Sequence, residues 1–126
     1  MARILCVDDE PAAITLRKEV LERAGYLVTY CLSVEAAIHE LKSSICDAVV
    51  TDWKFARESG RAVVHAAKSE AGLPVIVVSG YVGEAFHAAE PLADIYLEKP
   101  ADSRELLQVL EILLEVRTQR ANRQHS

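Results

Sequence analysis

The sequence is poor in the residues that interrupt regular structure, with 5 glycines and 4 prolines among 126 residues. Hydrophobic residues make up 51% of the chain and charged residues 26%. This balance excludes disordered and collagen-like chains, because those are dominated by glycine, proline or unbalanced charge. A chain of this length is expected to form one compact domain. The composition therefore predicts a single folded unit.

The sequence also lacks a long apolar run and an excess of basic charge. No stretch approaches the roughly 20 apolar residues of a membrane-spanning helix. Asp8 and Asp9 come so soon after the start that no signal-peptide core forms. A net charge of −5 disfavours direct binding to nucleic acid or anionic membranes. We therefore expect a cytoplasmic protein that binds neither.

Cysteine is scarce, and its placement excludes a disulfide framework. Cys6, Cys31 and Cys46 are odd in number and show no CxxC spacing. Each lies in or beside an apolar run. This pattern predicts reduced thiols in the core, and it does not favour metal or redox sites.

Five short runs rich in Ile, Val and Leu predict β-strands. Three of them show no alternation of polar and apolar residues, which is typical of strands covered on both faces in a parallel sheet. Segments with helical spacing fill the connections. The pattern predicts an open α/β sandwich with helices on both faces of the sheet. The strands are expected at residues 3–7, 27–31, 48–51, 75–78 and 95–97.

Helix boundaries are also marked in the sequence. Pro11 suits the first turn of the first helix, and Ser33 suits the N-cap of the second. After Arg117 the composition becomes polar, so we expect the last helix to fray there. This predicts a domain over residues 1–117 and a polar tail over residues 118–126.

Polar side chains follow four of the predicted strands. Asp8 and Asp9 follow the first strand, Asp52 the third, Ser79 the fourth and Lys99 the fifth. In an open parallel sheet, ligands bind at the carboxyl ends of the strands. Three carboxylates gathered there repel one another and need compensating cations. Lys99 supplies one positive charge, and a hard divalent ion such as Mg²⁺ suits the oxygen ligands.

A carboxylate beside a metal ion, a lysine and a hydroxyl suits phosphoryl transfer. Asp52 is then a candidate nucleophile that forms an acyl phosphate. The alternative for each residue is structural, because acids after strands often only cap the next helix and a single Ser or Lys is usually solvated. Because these polar residues are expected to converge at one edge of the sheet, a functional site is favoured over separate structural roles.

Four motifs at these strand ends are distinctive. They are Val7-Asp8-Asp9-Glu10-Pro11, Asp47-Ala48-Val49-Val50-Thr51-Asp52 followed by Gly60, Pro74-Val75-Ile76-Val77-Val78-Ser79-Gly80, and Tyr96-Leu97-Glu98-Lys99-Pro100. With them the chain resembles the receiver domain of two-component response regulators over residues 3–117. The resemblance implies a flavodoxin-like (βα)5 three-layer sandwich with a parallel sheet in the order 2-1-3-4-5.

The resemblance also implies roles for the site residues. Asp52 is implied to accept a phosphoryl group from a sensor histidine kinase or phosphotransfer protein. The implied ligands of Mg²⁺ (or Mn²⁺) are Asp9, Asp52, the backbone carbonyl of Lys54 and, through water, Asp8. Lys99 is implied to pair with the phosphoryl oxygens.

A switch completes the implied site, and two further residues, Lys54 and Tyr81, are candidate modulators because of their positions beside Asp52 and Ser79 in the sequence. Ser79 turns toward the phosphoryl group, and Tyr96 rotates into the space that it leaves. The Lys99–Pro100 peptide bond is implied to be cis. The Lys54 side chain either holds the phosphoryl group or competes with the metal ion. Tyr81 either obstructs the hydrolytic water or is an ordinary loop aromatic.

These observations predict a stand-alone response regulator that works as a signalling module and not as a turnover enzyme, either as a monomer or as a phosphorylation-dependent dimer. One alternative is the receiver of a longer hybrid kinase or transcriptional regulator. Another is a degenerate receiver that carries no phosphate and only binds protein. A phosphatase is disfavoured, because Lys54 stands where a second acid is needed.

Overall fold

The structure, a computed structural model, describes residues 1–55, 59–80, 82–88 and 92–124. Strands and helices alternate along the chain. The strands are β1 (Arg3–Val7), β2 (Leu27–Cys31), β3 (Ala48–Asp52), β4 (Val75–Ser79) and β5 (Ile95–Glu98). The helices are α1 (Pro11–Arg23), α2 (Val34–Ser43), α3 (Arg61–His65, continued by a π-helical turn over Ala66–Glu70), α4 (Val82–Ala88) and α5 (Ser103–Gln124).

The five strands form one parallel sheet in the order β2-β1-β3-β4-β5. The parallel sheet predicted from the apolar runs is confirmed, and so is the strand order implied by the resemblance. Every residue of β3 and β4 is buried, as expected for strands covered on both faces. The fold is therefore the flavodoxin-like α/β sandwich. Among the described helices, none has the length and apolar character needed to cross a bilayer.

The alternation of side chains along the strands divides the core into two layers. Leu5 and Val49 face α2, α3 and α4, whereas Ile4 and Val50 face α1 and α5. The thiols of the three cysteines are free and buried, as predicted. Burial raises the pKa of the Cys6 thiol to about 12, so this thiol is neutral at physiological pH.

Local signals place the helices as the sequence predicts, with one exception. Pro11 begins α1, and the Ser33 hydroxyl accepts a hydrogen bond from the backbone N–H of Ala36 at 3.1 Å. The exception is the tail, because α5 continues through residues 118–124. The prediction that the helix frays after Arg117 was wrong, since those residues include neither glycine nor proline and several favour helix even in solvent.

Three strands, β3, β4 and β5, are each one residue longer at their carboxyl ends than predicted. Asp52 is the last residue of β3 and Ser79 the last residue of β4. Both side chains are therefore held by the sheet itself and not by a following loop. The candidate modulator Tyr81 lies outside the described residues.

Candidate functional site

Asp52 lies buried at the carboxyl edge of the sheet. Its Oδ1 accepts a hydrogen bond from the backbone N–H of Trp53 at 2.7 Å. Its Oδ2 accepts one from Lys99 Nζ at 3.0 Å. Both carboxylate oxygens of the candidate nucleophile are thus oriented by hydrogen bonds.

Asp8 and Asp9 follow β1 at the same edge. Asp8 is 1% exposed, and its backbone N–H donates to the Cys31 carbonyl at 3.2 Å, which extends the pairing of β1 with β2. Its Oδ1 accepts a hydrogen bond from the backbone N–H of Glu10 at 3.0 Å. Asp9 is exposed. The pair therefore offers one fixed carboxylate and one that solvent reaches.

Lys99 follows β5 and reaches both buried acids. Its Nζ lies 3.0 Å from Asp52 Oδ2 and 3.6 Å from Asp8 Oδ2. Its backbone N–H donates to the Ser79 carbonyl at 3.0 Å, and its peptide bond with Pro100 is cis. The compensating cation expected from the sequence is therefore in contact with the acids.

The acids have the geometry of a metal site. Asp8, Asp9 and Asp52 each offer a carboxylate oxygen, and these oxygens lie within 4.8 Å of one another. Asp8 Oδ2 is buried and has no hydrogen-bond partner among the described residues. An acceptor buried in this way is costly unless something satisfies it. The donor set fits Mg²⁺ or Mn²⁺, because both prefer oxygen ligands.

Arg17 is a site residue that sequence reasoning missed. It lies on α1, its side chain is 10% exposed, and its Nη1 is 3.8 Å from Asp8 Oδ2. A signal for it exists in the sequence, since helical spacing places Arg17 on the same face as the buried Ile14 and Leu21. A charged residue on a buried stripe indicates a partner in the interior.

The two predicted switch residues are neighbours in the sheet. Ser79 is fully buried and pairs with Glu98 on β5, so alternation places Ser79 and Tyr96 on the same face. The Tyr96 hydroxyl accepts a hydrogen bond from the backbone N–H of Ala93 at 3.0 Å. Its ring packs edge-on to Phe86 with the centroids 5.6 Å apart. Tyr96 is thereby linked to α4 and to the segment before β5.

The loop after β3 is held close to Asp52. Lys54 forms a backbone bridge with Ser59, and its half-exposed ammonium lies 4.0 Å from a carboxylate oxygen of Glu84 on α4. A Cβ at Gly60 would lie 2.5 Å from the Asp52 carbonyl oxygen. Glycine is therefore the residue that permits this close approach. The role of the Lys54 carbonyl as a metal ligand stays a prediction.

Comparisons with known proteins agree with this geometry. The model of the response regulator receiver domain family matches residues 4–111. The chain is 32% identical over 116 residues to the transcriptional regulatory protein CpxR of Escherichia coli K12, which covers 90% of this chain and 50% of CpxR. The chain spans half or less of the length of the curated relatives that it matches.

Solved structures share the fold over almost their whole length. A CheY-like receiver domain protein from Methanospirillum hungatei JF-1 has a TM-score of 0.87 and 26% identity, over 95% of this chain and 98% of that one. The response regulator TrrA from Thermotoga maritima, solved in complex with Mg²⁺ and BeF, has a TM-score of 0.81 and 30% identity, over 90% of this chain and 99% of that one. With its strand order and its acidic edge, the chain belongs to the response regulator receiver domain family of two-component signalling.

Proposed function

We propose that this receiver accepts a phosphoryl group on Asp52 from the phosphohistidine of a sensor kinase or phosphotransfer protein. A carboxylate oxygen of Asp52 forms the new bond to phosphorus while the phosphorus–nitrogen bond breaks, and the imidazole leaves with the electron pair. Water later hydrolyses the acyl phosphate and restores the carboxylate. The chain acts only on itself, so it is a signalling module and not a turnover enzyme.

The observation that carries this proposal is the position of Lys99. Its ammonium hydrogen bonds to Asp52 Oδ2 at 3.0 Å, at the point where the phosphoryl oxygens gather negative charge. The Trp53 N–H holds the other oxygen of Asp52. A fixed cation beside the nucleophile stabilises the transferring group without reorganisation.

Asp8, Asp9 and Asp52 are the side chains that hold Mg²⁺ or Mn²⁺ in this proposal. When bound, the ion neutralises charge on the phosphoryl oxygens and helps to align the donor. The receiver TrrA, whose structure contains Mg²⁺ and BeF, supports the choice of ion. Asp8 Oδ1 is held by the Glu10 N–H, so the carboxylate is already oriented.

Intact mass spectrometry tests the proposal directly. The protein is incubated with acetyl phosphate or phosphoramidate and Mg²⁺, together with the variants Asp52→Asn and Asp47→Asn. We expect wild type to gain one phosphoryl group and Asp52→Asn to gain none. Asp47→Asn is the control and should gain one, because Asp47 lies at the opposite end of β3. Uptake by all three proteins, or by none, contradicts the proposal.

Ser79 and Tyr96 carry the signal to the surface in this proposal. The buried Ser79 hydroxyl turns toward the new phosphoryl group, and the Tyr96 ring moves toward Ser79 along their shared sheet face. The support is that Tyr96 already contacts Phe86 on α4. We expect phosphorylation to shift the NMR resonances of the Tyr96 ring in wild type but not in Ser79→Ala. Equal shifts in both proteins would exclude this coupling.

The proposal is limited to the receiver chemistry. Transcriptional regulation belongs to the whole of a relative such as CpxR, and this chain matches half of that protein. Membership of the receiver family supports a histidine kinase as the phosphoryl donor. It does not identify the downstream process that this chain controls.

A further inference from the structure

A charged side chain is buried behind the acidic site. Arg17 lies on the stripe of α1 that faces the sheet, with its side chain 10% exposed. Burying a guanidinium is costly unless a counter-charge compensates it. The charges near it include Asp8 Oδ2 at 3.8 Å and, beyond it, Lys99, whose Nζ is 3.6 Å from the same oxygen. Glu10 lines the same cavity as Arg17 and Lys99.

The contact between Arg17 and Asp8 is electrostatic, but it is not a hydrogen bond. At 3.8 Å, Nη1 and Oδ2 are too far apart for one. These two atoms are the buried side-chain atoms of the described residues for which no hydrogen-bond partner is found. At this distance Arg17 acts on Asp8 through its charge.

The positive charge of Arg17 suits the phosphorylated state better than the metal-bound resting state. It lies 3.8 Å from Asp8, one of the three carboxylates of the candidate metal site, so it repels a divalent cation bound there. Phosphoryl transfer replaces the single negative charge of Asp52 by about two. The same positive charge then stabilises the added negative charge.

We propose that Arg17 is a positioning residue that weakens divalent-cation binding at the resting site and favours the phosphorylated one through its buried charge beside Asp8. This role rests on the proposed phosphoryl transfer to Asp52. It assigns a site function to α1, which otherwise contributes packing.

A titration with Mg²⁺ alone tests the first half of the proposal. Trp53 is the single tryptophan, and it directly follows Asp52, to which its backbone N–H donates a hydrogen bond. We use its fluorescence to report ion binding without any phosphorylation. We expect Arg17→Met to bind Mg²⁺ about threefold to tenfold more tightly than wild type, because a like charge beside the ligands is removed. Arg17→Lys keeps the charge and should stay within about twofold of wild type.

Arg23→Met is the matched control on the same helix. Arg23 is 79% exposed and pairs with Glu19 at 2.7 Å, so the same change there should leave the Mg²⁺ affinity unaltered. Arg17→Gln repeats the neutral substitution with a side chain that can hydrogen bond to Asp8. It decides the question if Arg17→Met does not fold. Unchanged or weaker Mg²⁺ binding in the neutral Arg17 variant that folds overturns the proposal.

The second half is tested at saturating Mg²⁺ with a fixed concentration of phosphoramidate. We expect the phosphorylated fraction to fall severalfold in Arg17→Met and to recover in Arg17→Lys. A purely structural role would lower the unfolding midpoint without moving this fraction, and that result overturns the proposal. If wild type takes up no phosphoryl group, the proposed function fails, whereas the Mg²⁺ titration still decides whether Arg17 acts on the metal site.

Discussion

At the amino edge of the sheet Asp47 lies beside Arg3 and Arg117, and at the carboxyl edge Asp8 lies beside Arg17 and Lys99. Asp47 Oδ2 accepts a hydrogen bond from the backbone N–H of Arg3 at 2.8 Å, and its Oδ1 accepts one from Arg117 Nη1 at 3.0 Å. Asp8 Oδ2, by contrast, has Lys99 at 3.6 Å and Arg17 at 3.8 Å, and it accepts no hydrogen bond from the part of the chain that the structure describes.

The difference separates a structural use of charge from a functional one. At the amino edge one carboxylate is fully satisfied, and it ties β1, β3 and α5 together. At the carboxyl edge three carboxylates each offer an oxygen within 4.8 Å of the others. Their mutual repulsion costs stability in the free protein, and a divalent cation bound there relieves it. Four predictions test this comparison.

Charge removal at the two edges should change stability in opposite directions. We expect Asp47→Ala to lower the free energy of unfolding by about 2–3 kcal/mol, because its hydrogen bonds include one to a charged guanidinium. Asp52→Asn should unfold at the same or a higher urea concentration than wild type in the absence of Mg²⁺, since repulsion among the acids falls. Equal losses in the two variants would contradict the distinction between the edges.

The next largest effect on stability is expected at Gly60, where the backbone passes close to Asp52 at the carboxyl edge. Gly60→Ala places a Cβ against the Asp52 carbonyl and should cost about 2 kcal/mol in urea denaturation. Gly83→Ala is the control, because its Cβ would meet nothing within 4 Å and alanine favours the helical backbone of α4. A Gly60→Ala variant as stable as wild type would show that the loop moves freely relative to β3.

Between the two edges of the sheet, the buried cysteine thiols should resist ionisation. Burial raises the pKa of Cys6 from 9.0 to about 12, and burial also raises the pKa of Cys31 and Cys46. The folded protein therefore retains thiol protons that the unfolded chain loses, so stability is full below pH 9 and falls as the pH rises toward 12.

Thermal unfolding between pH 8 and 11 measures this loss, which we expect to be about 1 kcal/mol or more by the upper end. Cys6→Ala lowers the stability at neutral pH but should show a shallower decline with alkali. The same slope in both proteins would exclude Cys6 as a source of the decline.

The smallest effect is expected at the rim of the carboxyl edge. Lys54 is half exposed and lies near Glu84, so its charge reaches the site mainly through solvent. We expect Lys54→Ala to shorten the lifetime of the acyl phosphate by about twofold to fivefold, with little change in Mg²⁺ affinity. The rate of phosphate loss and the Trp53 titration measure the two quantities. A tighter Mg²⁺ affinity instead would show that Lys54 competes with the metal ion.

The sequence alone predicted the architecture and much of the site. Strands covered on both faces leave uninterrupted apolar runs, and parallel strands bring their carboxyl ends to one edge. These two facts were enough to bring together Asp8, Asp52 and Lys99, which the structure places in contact. The roles of these residues in phosphoryl transfer stay predictions.

What the sequence did not predict depends on the packing of helices against the sheet. Arg17 reaches Asp8 because of the rotation of α1 about its axis, and Arg117 reaches Asp47 across 70 residues of chain. The continuation of α5 to Gln124 was missed for a different reason. Polar composition was interpreted as fraying, although solvated residues of good helix propensity can extend a helix that is already nucleated.

Residues 1 and 2 lie near Asp47 at the amino edge of the sheet. Met1 and Ala2 line the same shallow cavity as Arg117 and Thr118, at the opposite end of strands that span about 16 Å. A dye, affinity tag or sensor-chip tether joined to the first residue would therefore leave the acidic rim facing open solution. Immobilised in that orientation, the protein would present its reactive face to a kinase flowing over the surface.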